Sequence, residues 1–424
     1  MHVLILPSWY PTPAQPTRGV FFREQAQALS QSGLQVGVIA PQRQSLRRLM
    51  KRHTETPSGL DFVDDNGVAT YRHYGWSWFP LWPAFHAKLW LQSGRRLFQH
   101  YVHKHGMPDV IHVHSALYGG VLADDLRRKH DVPYVLTEHS TAFARGLLSG
   151  RQKAMVRRAF HGASARIVVS PSLGELLSEQ FPPVASKRRS TWDWVPNMVD
   201  PRFRPAATDI DANDSSSLRP FRWLNIALLT EKKGHRDLLT AFAQAFRGNR
   251  AHELRIGGDG PLKTELTARA AEIGIAEQVR FLGELSRDQV LAEMQHCDAF
   301  VLSSHVETFG VVLIEALACG KPVIATRCGG PECIVNSTNG ILVPPRNPDS
   351  LASAMRECSD DYLRFPSLNI SDDCLRQFSG EAVARQLRAI YRQVLAADHA
   401  AEALLDEFLP AFDREDAGVR ERAA

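Results

Sequence analysis

Two glutamates eight residues apart, Glu307 and Glu315, lie in the segment HVETFGVVLIEALACGKPVIAT at residues 305–326. Glu315 is the only charged residue between Thr308 and Cys319, and its neighbours are Val311, Val312, Leu313, Ile314, Ala316, Leu317 and Ala318. A carboxylate stranded among aliphatic side chains is costly unless a partner fixes it there. Phe309 and Gly310 stand at the turn into the helix this run forms, where exposed backbone N–H groups and the helix dipole favour a phosphate. One short segment thus offers a carboxylate for hydroxyls, an anion site, and a second carboxylate about one and a half turns into a helix. Hydroxyl, phosphate and hydroxyl are the parts of a nucleotide sugar. The same spacing also fits a plainer arrangement, in which Glu307 caps the helix from a solvated loop and Glu315 pairs with a lysine. Spacing alone leaves both open.

Strand ends are needed to hold such groups in place, and the chain supplies them in two series. The opening strand His2–Leu6 leads through a proline-rich turn to Gly19, an amphipathic helix over about 20–32, and a second strand at 34–40. PDVIHVH, VPYVLTEH and ARIVVSPS follow as short β-rich runs separated by helix-length segments, the pattern of a parallel sheet with crossover helices. Residues 206–220, AATDIDANDSSSLRP, are acidic, serine-rich and without apolar periodicity, and read as a linker. Strand-like FRWLNIALLT, HELRIGGDGP, VRFLGEL and CDAFVLSS then alternate with helices near 235–246, 264–273 and 287–296. The expectation is an α/β protein of two Rossmann-like domains, residues 1–205 and 221–377, facing across a cleft. A helical segment from 378 to 424 would cross back to the first domain. In open α/β sheets ligands bind outside the carboxyl ends of the strands. Glu307 follows one such end.

Composition narrows the classes. At 424 residues, 44% hydrophobic and 23% charged, the chain is long enough for two cores of ordinary globular make-up. No apolar run approaches the roughly 18 residues of a membrane span, and MHVLILPSWYP has neither a basic n-region nor a cleavage site, which reads as cytoplasmic. The six cysteines lie in the second half with no CxxC pair, so neither a zinc site nor a disulfide framework is expected. Residues 1–200 hold 24 Lys and Arg against 14 Asp and Glu, whereas residues 201–424 hold 26 against 32. The first half should meet something anionic. Gly258-x-Gly260 is followed by Pro261 and Leu262, so the third glycine of a dinucleotide fingerprint is missing and a dehydrogenase is disfavoured.

The segment SSHVETFGVVLIEALACGKPVIATRCGGPECIV resembles the Glu-x7-Glu donor-site signature of retaining glycosyltransferases of family 4, which have the GT-B fold. RIGGDGPLKTEL, VRFLGEL, VPNMVD, PDVIHVH and FSGEAVARQLRAIY are similar in type and order, so the resemblance runs from the first strand to about residue 394. It implies that Glu307 contacts the donor sugar, that Glu315 holds the ribose hydroxyls, and that the Thr308, Phe309 and Gly310 turn meets the distal phosphate. Lys233 resembles the lysine that neutralises the diphosphate, where a leaving group gains charge. His139 resembles the histidine that faces the sugar across the cleft, and Gly19 the glycine loop near donor phosphate and acceptor. Gly258, Asp259 and Gly260 are expected where backbone approaches the donor, and His114 and Glu138 are further candidates for acceptor contact. The chain departs from the family at Ala227-Leu228, where many members carry Gly-Arg. Arg327, Lys232 or another basic residue would have to replace that arginine.

The resemblance implies a hexosyltransferase that needs no cofactor and no metal and works by front-face transfer, with its glutamates binding rather than attacking. The two-carboxylate scheme of glycosidases is therefore not expected. On the acceptor side, residues 75–106 bring four tryptophans beside basic residues and QRQSLRRLMKRH (42–53) adds a basic cluster. Such composition suits either an anionic membrane surface, with a saccharide or polyprenyl-linked acceptor, or an amphipathic helix with its tryptophans in the core. Nucleic acid is not an expected partner. A sugar-nucleotide epimerase, a phosphorylase or a non-catalytic nucleotide-sugar binding protein would share the architecture.

Overall fold

The computed structural model describes residues 1–13, 15, 18–45, 58–77, 83–182, 191–206 and 219–408. Within them the chain forms two sheets. The first contains β1 (His2–Pro7), β2 (Gln35–Ser45), β3 (Gly59–Asp64), β4 (Ala69–Ser77), β5 (Val110–His114), β6 (Tyr134–Glu138), β7 (Ala165–Val168) and β8 (Asp193–Trp194), in the order β3-β4-β2-β1-β5-β6-β7-β8. Only the β3–β4 pair is antiparallel. The second contains β9 (Phe221–Ile226), β10 (His252–Gly257), β11 (Val279–Gly283), β12 (Ala299–Leu302), β13 (Val323–Thr326) and β14 (Gly340–Val343), ordered β11-β10-β9-β12-β13-β14 and parallel throughout. Strands covered by helices on both faces read as unbroken apolar runs, and β1 and β12 are buried at every residue.

The strand order reverses between β1 and β5 in the first sheet and between β9 and β12 in the second. At such switch points the connections leave in opposite directions and open a crevice. The carboxyl ends there are Pro7, His114, Ile226 and Leu302. The segments singled out for chemistry follow one of these four strands or the adjacent β6, except the Gly258–Gly260 turn at the β10 end and Arg327 at the β13 end.

The chain passes between the sheets twice, near 198–203 and near 378–380. The two passages are hydrogen-bonded to each other, Val199 N–H donating to the Phe378 carbonyl at 2.8 Å. Beyond the second, the helix Gly380–Phe408 lies on the first sheet. Val383, Leu387, Tyr391 and Val394 join Val3, Ile5, Phe22 and Val38 in one core, Arg388 donates to the Ser32 carbonyl at 2.6 Å, and the Tyr391 hydroxyl meets His112 Nδ1 at 2.6 Å.

Three features differ from the sequence reading. The β3–β4 ribbon at the sheet edge was not anticipated, and β2 runs on to Ser45, taking residues 42–45 of the basic cluster into a strand. The tryptophan-rich segment is split: Trp76 ends a strand, whereas Trp90 is buried in the helix Pro83–His105. Residues 46–53 of the basic cluster, Trp78, Trp82, most of the 206–220 segment and residues 409–424 lie outside the described residues. Among the described residues no helix is long and apolar enough to cross a membrane.

Candidate functional site

The second-sheet wall of the cleft is made by two loops fastened together. The loop after β9 carries Lys232 and Lys233, and the loop after β12 carries Ser303 to Gly310. His305 N–H donates to the Lys232 carbonyl at 2.7 Å, Ser303 Oγ donates to the Lys233 carbonyl at 3.0 Å, and His305 Nε2 meets Asp237 at 2.8 Å. Gly234 permits this approach. It sits at φ 66°, and a Cβ there would come within 2.0 Å of the Ser303 carbonyl oxygen. The fastening brings Lys233 Nζ onto Glu307 Oε1, which also accepts from Ser304 Oγ at 2.9 Å. Both side chains are largely sheltered, at 17% and 10% exposed, so this ion pair is screened less than a surface pair.

The helix Val311–Ala318 begins at Gly310 in a left-handed conformation, with no side-chain cap and no acidic residue in its first turn. Its N-terminus is thus an uncompensated partial positive charge. Phe309 is buried edge-on against Phe378, with ring centroids 5.9 Å apart. Glu315 is 2% exposed, and its partner is Arg287, whose Nη1 donates to Oε1 at 2.6 Å. Burial pushes the Glu315 carboxyl up and Arg287 pulls against it.

Arg287 was not anticipated, although the sequence carried a signal for it. Ser286 and Gln289 form a capping box, which places an arginine at the first position of a helix, the end where the dipole disfavours a cation.

Gly258, Asp259 and Gly260 follow β10 and lie against the loop after β9. A Cβ at Gly258 would meet the Ala227 carbonyl oxygen at 2.0 Å, and one at Gly260 the Leu229 carbonyl oxygen at 2.5 Å. These glycines let two backbone segments of the protein approach each other. The Asp259 carboxylate accepts from Gly260 N–H at 2.7 Å and is about half exposed. Leu228, where the family arginine is missing, is 66% exposed, and Arg327 is exposed at the end of β13. Lys232 has a pKa held down by burial, with Lys233 and the first-sheet Arg145 adding to the effect. Arg145 thus stands near these lysines from the opposite domain.

The first-sheet wall is of another kind. His114 Nδ1 and His139 Nε2 are hydrogen-bonded at 3.0 Å, and Phe22 stacks on His114 and meets His139 edge-on, with centroids 4.5 and 5.0 Å away. His112 lies behind them, held by Thr137 Oγ1 at 2.7 Å and by Tyr391. Burial pushes His112 and His139 down to about 3 and His114 well below its ordinary value, so all three imidazoles are neutral at pH 7. His139 does not offer both ring nitrogens to the cleft, because Nε2 is engaged by His114. Its carbonyl oxygen instead accepts from Thr308 Oγ1 at 2.9 Å, a direct bond between the walls. Ser172 Oγ makes a second, to the Gly329 carbonyl.

Glu138 lies buried at the end of β6. It is 1% exposed and accepts backbone N–H bonds from Ala116 at 2.8 Å and from His139 and Ser140 at 2.9 Å. Its carboxylate organises the loop after β5. That loop is strained, with Ser115 at φ 69° and Tyr118 at φ 70°, and Ser8 Oγ reaches the Ser115 and Leu117 carbonyls at 2.8 and 2.6 Å. Gly19, at φ 77°, opens the helix Val20–Gln31, and a Cβ there would meet the Trp9 ring at 2.9 Å. Among the described residues no three His, Cys, Asp or Glu side chains gather as metal ligands would.

Comparison with known proteins places both halves. Residues 19–203 match the family profile described as Glycosyltransferase Family 4, and residues 209–368 match Glycosyl transferases group 1. The chain is 29% identical over 278 residues to a glycogen synthase of Mycobacterium tuberculosis, a match covering 64% of this chain and 65% of that protein. It thus spans slightly under two thirds of that relative's length. It is 26% identical over 422 residues to the putative teichuronic acid biosynthesis glycosyltransferase TuaC of Bacillus subtilis, covering 93% and 99% of the two chains. Among solved structures, sucrose-phosphate synthase from Thermosynechococcus elongatus superposes with a TM-score of 0.74 at 22% identity, over 94% of this chain and all of that one. Anabaena HepE in complex with UDP and glucose superposes with a TM-score of 0.69 at 17% identity, over 93% and 100%. The shared fold is GT-B, two Rossmann-like domains across a cleft.

Proposed function

Because the chain belongs to the group 1 glycosyltransferases of family 4, we propose that it moves a hexosyl group from a nucleoside-diphosphate sugar to a hydroxyl of a saccharide or lipid-linked acceptor, with retention of configuration and without a metal. The observation that carries this reading is the second-sheet wall. Lys233 and Glu307 are paired at the switch point, the uncapped helix N-terminus at Gly310 follows, and Glu315 lies buried five residues further on. A diphosphate laid at that N-terminus takes Lys233 as its cation, freeing Glu307 to accept from the sugar hydroxyls. Glu315 takes the ribose.

In the transfer step the bond between the anomeric carbon and the phosphate oxygen breaks, and its electron pair leaves with the nucleoside diphosphate. The acceptor oxygen bonds to the same face of that carbon, and its proton passes to the departing phosphate oxygen. Lys233 and the helix N-terminus stabilise the charge that develops there, while Lys232 and Arg145 are placed to take over from the missing arginine. Closure of the two walls, of which the Thr308 to His139 bond is one contact, excludes water from the step.

The name of one relative, a putative teichuronic acid biosynthesis glycosyltransferase, favours a cell-surface polysaccharide or glycolipid product, made in the cytoplasm with the basic first domain against the inner membrane face. Incubation with UDP-, GDP- and ADP-sugars, following nucleotide release with and without EDTA, tests the reading. One donor should turn over with or without EDTA, and Glu307→Ala should abolish release. Binding without transfer or hydrolysis would point instead to a non-catalytic nucleotide-sugar binding protein. Activity that EDTA abolishes and only a divalent cation restores would remove the metal-independent scheme. A flotation assay showing no binding to anionic liposomes would remove the membrane contact.

A further inference from the structure

Arg287 stands at the helix end that disfavours a cation, so interactions elsewhere must hold it there. Its guanidinium meets three carboxylates from three parts of the fold. Nη1 donates to Glu315 at 2.6 Å, and Nη2 lies 3.4 Å from Asp200 in the passage between sheets and 3.8 Å from Glu24 on the first-domain helix Val20–Gln31. The guanidinium plane rests over the Phe203 ring at 4.9 Å. Arg202, the other cation of the cluster, is bound to Asp200 at 2.8 Å and reaches Asp288 at 2.8 Å. Arg287, Asp200, Glu24 and Arg202 line a cavity of about 860 Å³ between the first-domain helix and the Ser286–Arg287 turn.

We propose that Arg287 is the positioning residue of the donor site: it keeps Glu315 ionised, turns the carboxylate so that Oε2 is left for ribose hydroxyls, and ties that carboxylate to the first domain through Asp200 and Glu24. The inference rests on Glu315 being the ribose contact. A carboxylate buried alone in an aliphatic helix would take up a proton, and a protonated carboxyl is a poor acceptor for two hydroxyls. Because Arg287 spends only Nη1 on Glu315, its second nitrogen makes the occupied site depend on where the first domain stands. The groups facing Glu315 are Arg287, Asp200 and Glu24, and Arg202 lies beyond Asp200; Cys374, from the neighbouring helix, bonds the Ile314 carbonyl instead. Burial pushes Glu24 up to about 7, with Arg287 pulling against it.

The test is affinity for UDP, GDP and ADP and for their 2′-deoxy counterparts between pH 5.5 and 8.5, by calorimetry on the full chain. The native protein should prefer the ribonucleotide about tenfold, a charged hydrogen bond's worth, with no loss toward low pH. Arg287→Met should lose most of that preference and bind progressively more weakly as pH falls, because Glu315 protonates. Arg287→Lys should keep the flat pH profile at reduced affinity, and it carries the test if the methionine variant fails to fold. Arg287 variants with native preference and a native pH profile would overturn the proposal. Glu315→Gln separates the two failures. If that variant retains the ribose preference, the ribose assignment is wrong; if it loses the preference while the Arg287 variants keep it, only the role of Arg287 is wrong.

Discussion

The two walls of the cleft are built from opposite chemistry on the same scaffold. Both follow the carboxyl ends of strands at a switch point. The second-sheet wall gathers charge, with Lys233 on Glu307, Arg287 on Glu315 and a bare helix N-terminus between them. The first-sheet wall brings one cation, Arg145, toward those lysines and is otherwise neutral at its strand ends: His114 and His139 are uncharged, packed by Phe21 and Phe22, and bonded to each other. A diphosphate donor needs fixed charges, and an approaching hydroxyl needs a dry surface that does not compete for them. The difference teaches that sidedness in this fold comes from the residues at the strand ends, since the strands themselves are alike.

The largest effect that could break this contrast is expected from Lys233→Ala. Losing the cation that faces the leaving diphosphate should lower kcat by about 10²- to 10³-fold. Initial rates of nucleotide release check this, and a loss under tenfold would mean that charge on this wall is not what drives the step.

A smaller effect tests the neutral wall. Free histidine titrates near 6.5, whereas His112 is pushed down to about 3 by burial. Its contribution to stability is therefore present above pH 6.5 and is lost as pH falls toward 3, at about 1.4 kcal/mol per pH unit. Urea unfolding of His112→Gln between pH 7.5 and 4.5 should show a slope shallower by about that amount. Equal slopes would mean that His112 is charged in the folded protein.

The smallest effect probes the seam where the walls touch. Thr308→Val removes the hydroxyl that bonds the His139 carbonyl, and should raise the donor KM about fivefold, the equivalent of about 1 kcal/mol, with kcat little changed. A fall in kcat without a rise in KM would show that the bond belongs to the transition state and not to closure.

Much of the second-sheet wall was legible in the sequence because its parts are local. Glu307, Gly310 and Glu315 sit on one strand-loop-helix unit, so their spacing along the chain already fixes their order in space. Less of the first-sheet wall could be read this way. Seventeen histidines offer no spacing rule that marks three of them, and Glu138 reads like any strand-end acid until its backbone partners are seen. The glycines of residues 258–260 were legible as a backbone requirement, but the protein segment they pack against was not, because it lies about thirty residues earlier.

Local pattern along the chain specified two mainly parallel α/β halves, the strand ends that face the cleft, and an isolated carboxylate that demanded a partner. These follow from periodicity, from turn residues and from the cost of burying charge, all of which act over a few positions. The partner each group received came from long-range packing. Arg287 reaches Glu315 from 28 residues away, Lys233 reaches Glu307 from 74, and Tyr391 reaches His112 from 279. Such pairings depend on how helices pack on sheets and how the chain crosses between domains. They minimise unsatisfied buried charge over the whole molecule, a condition no short stretch of sequence can express.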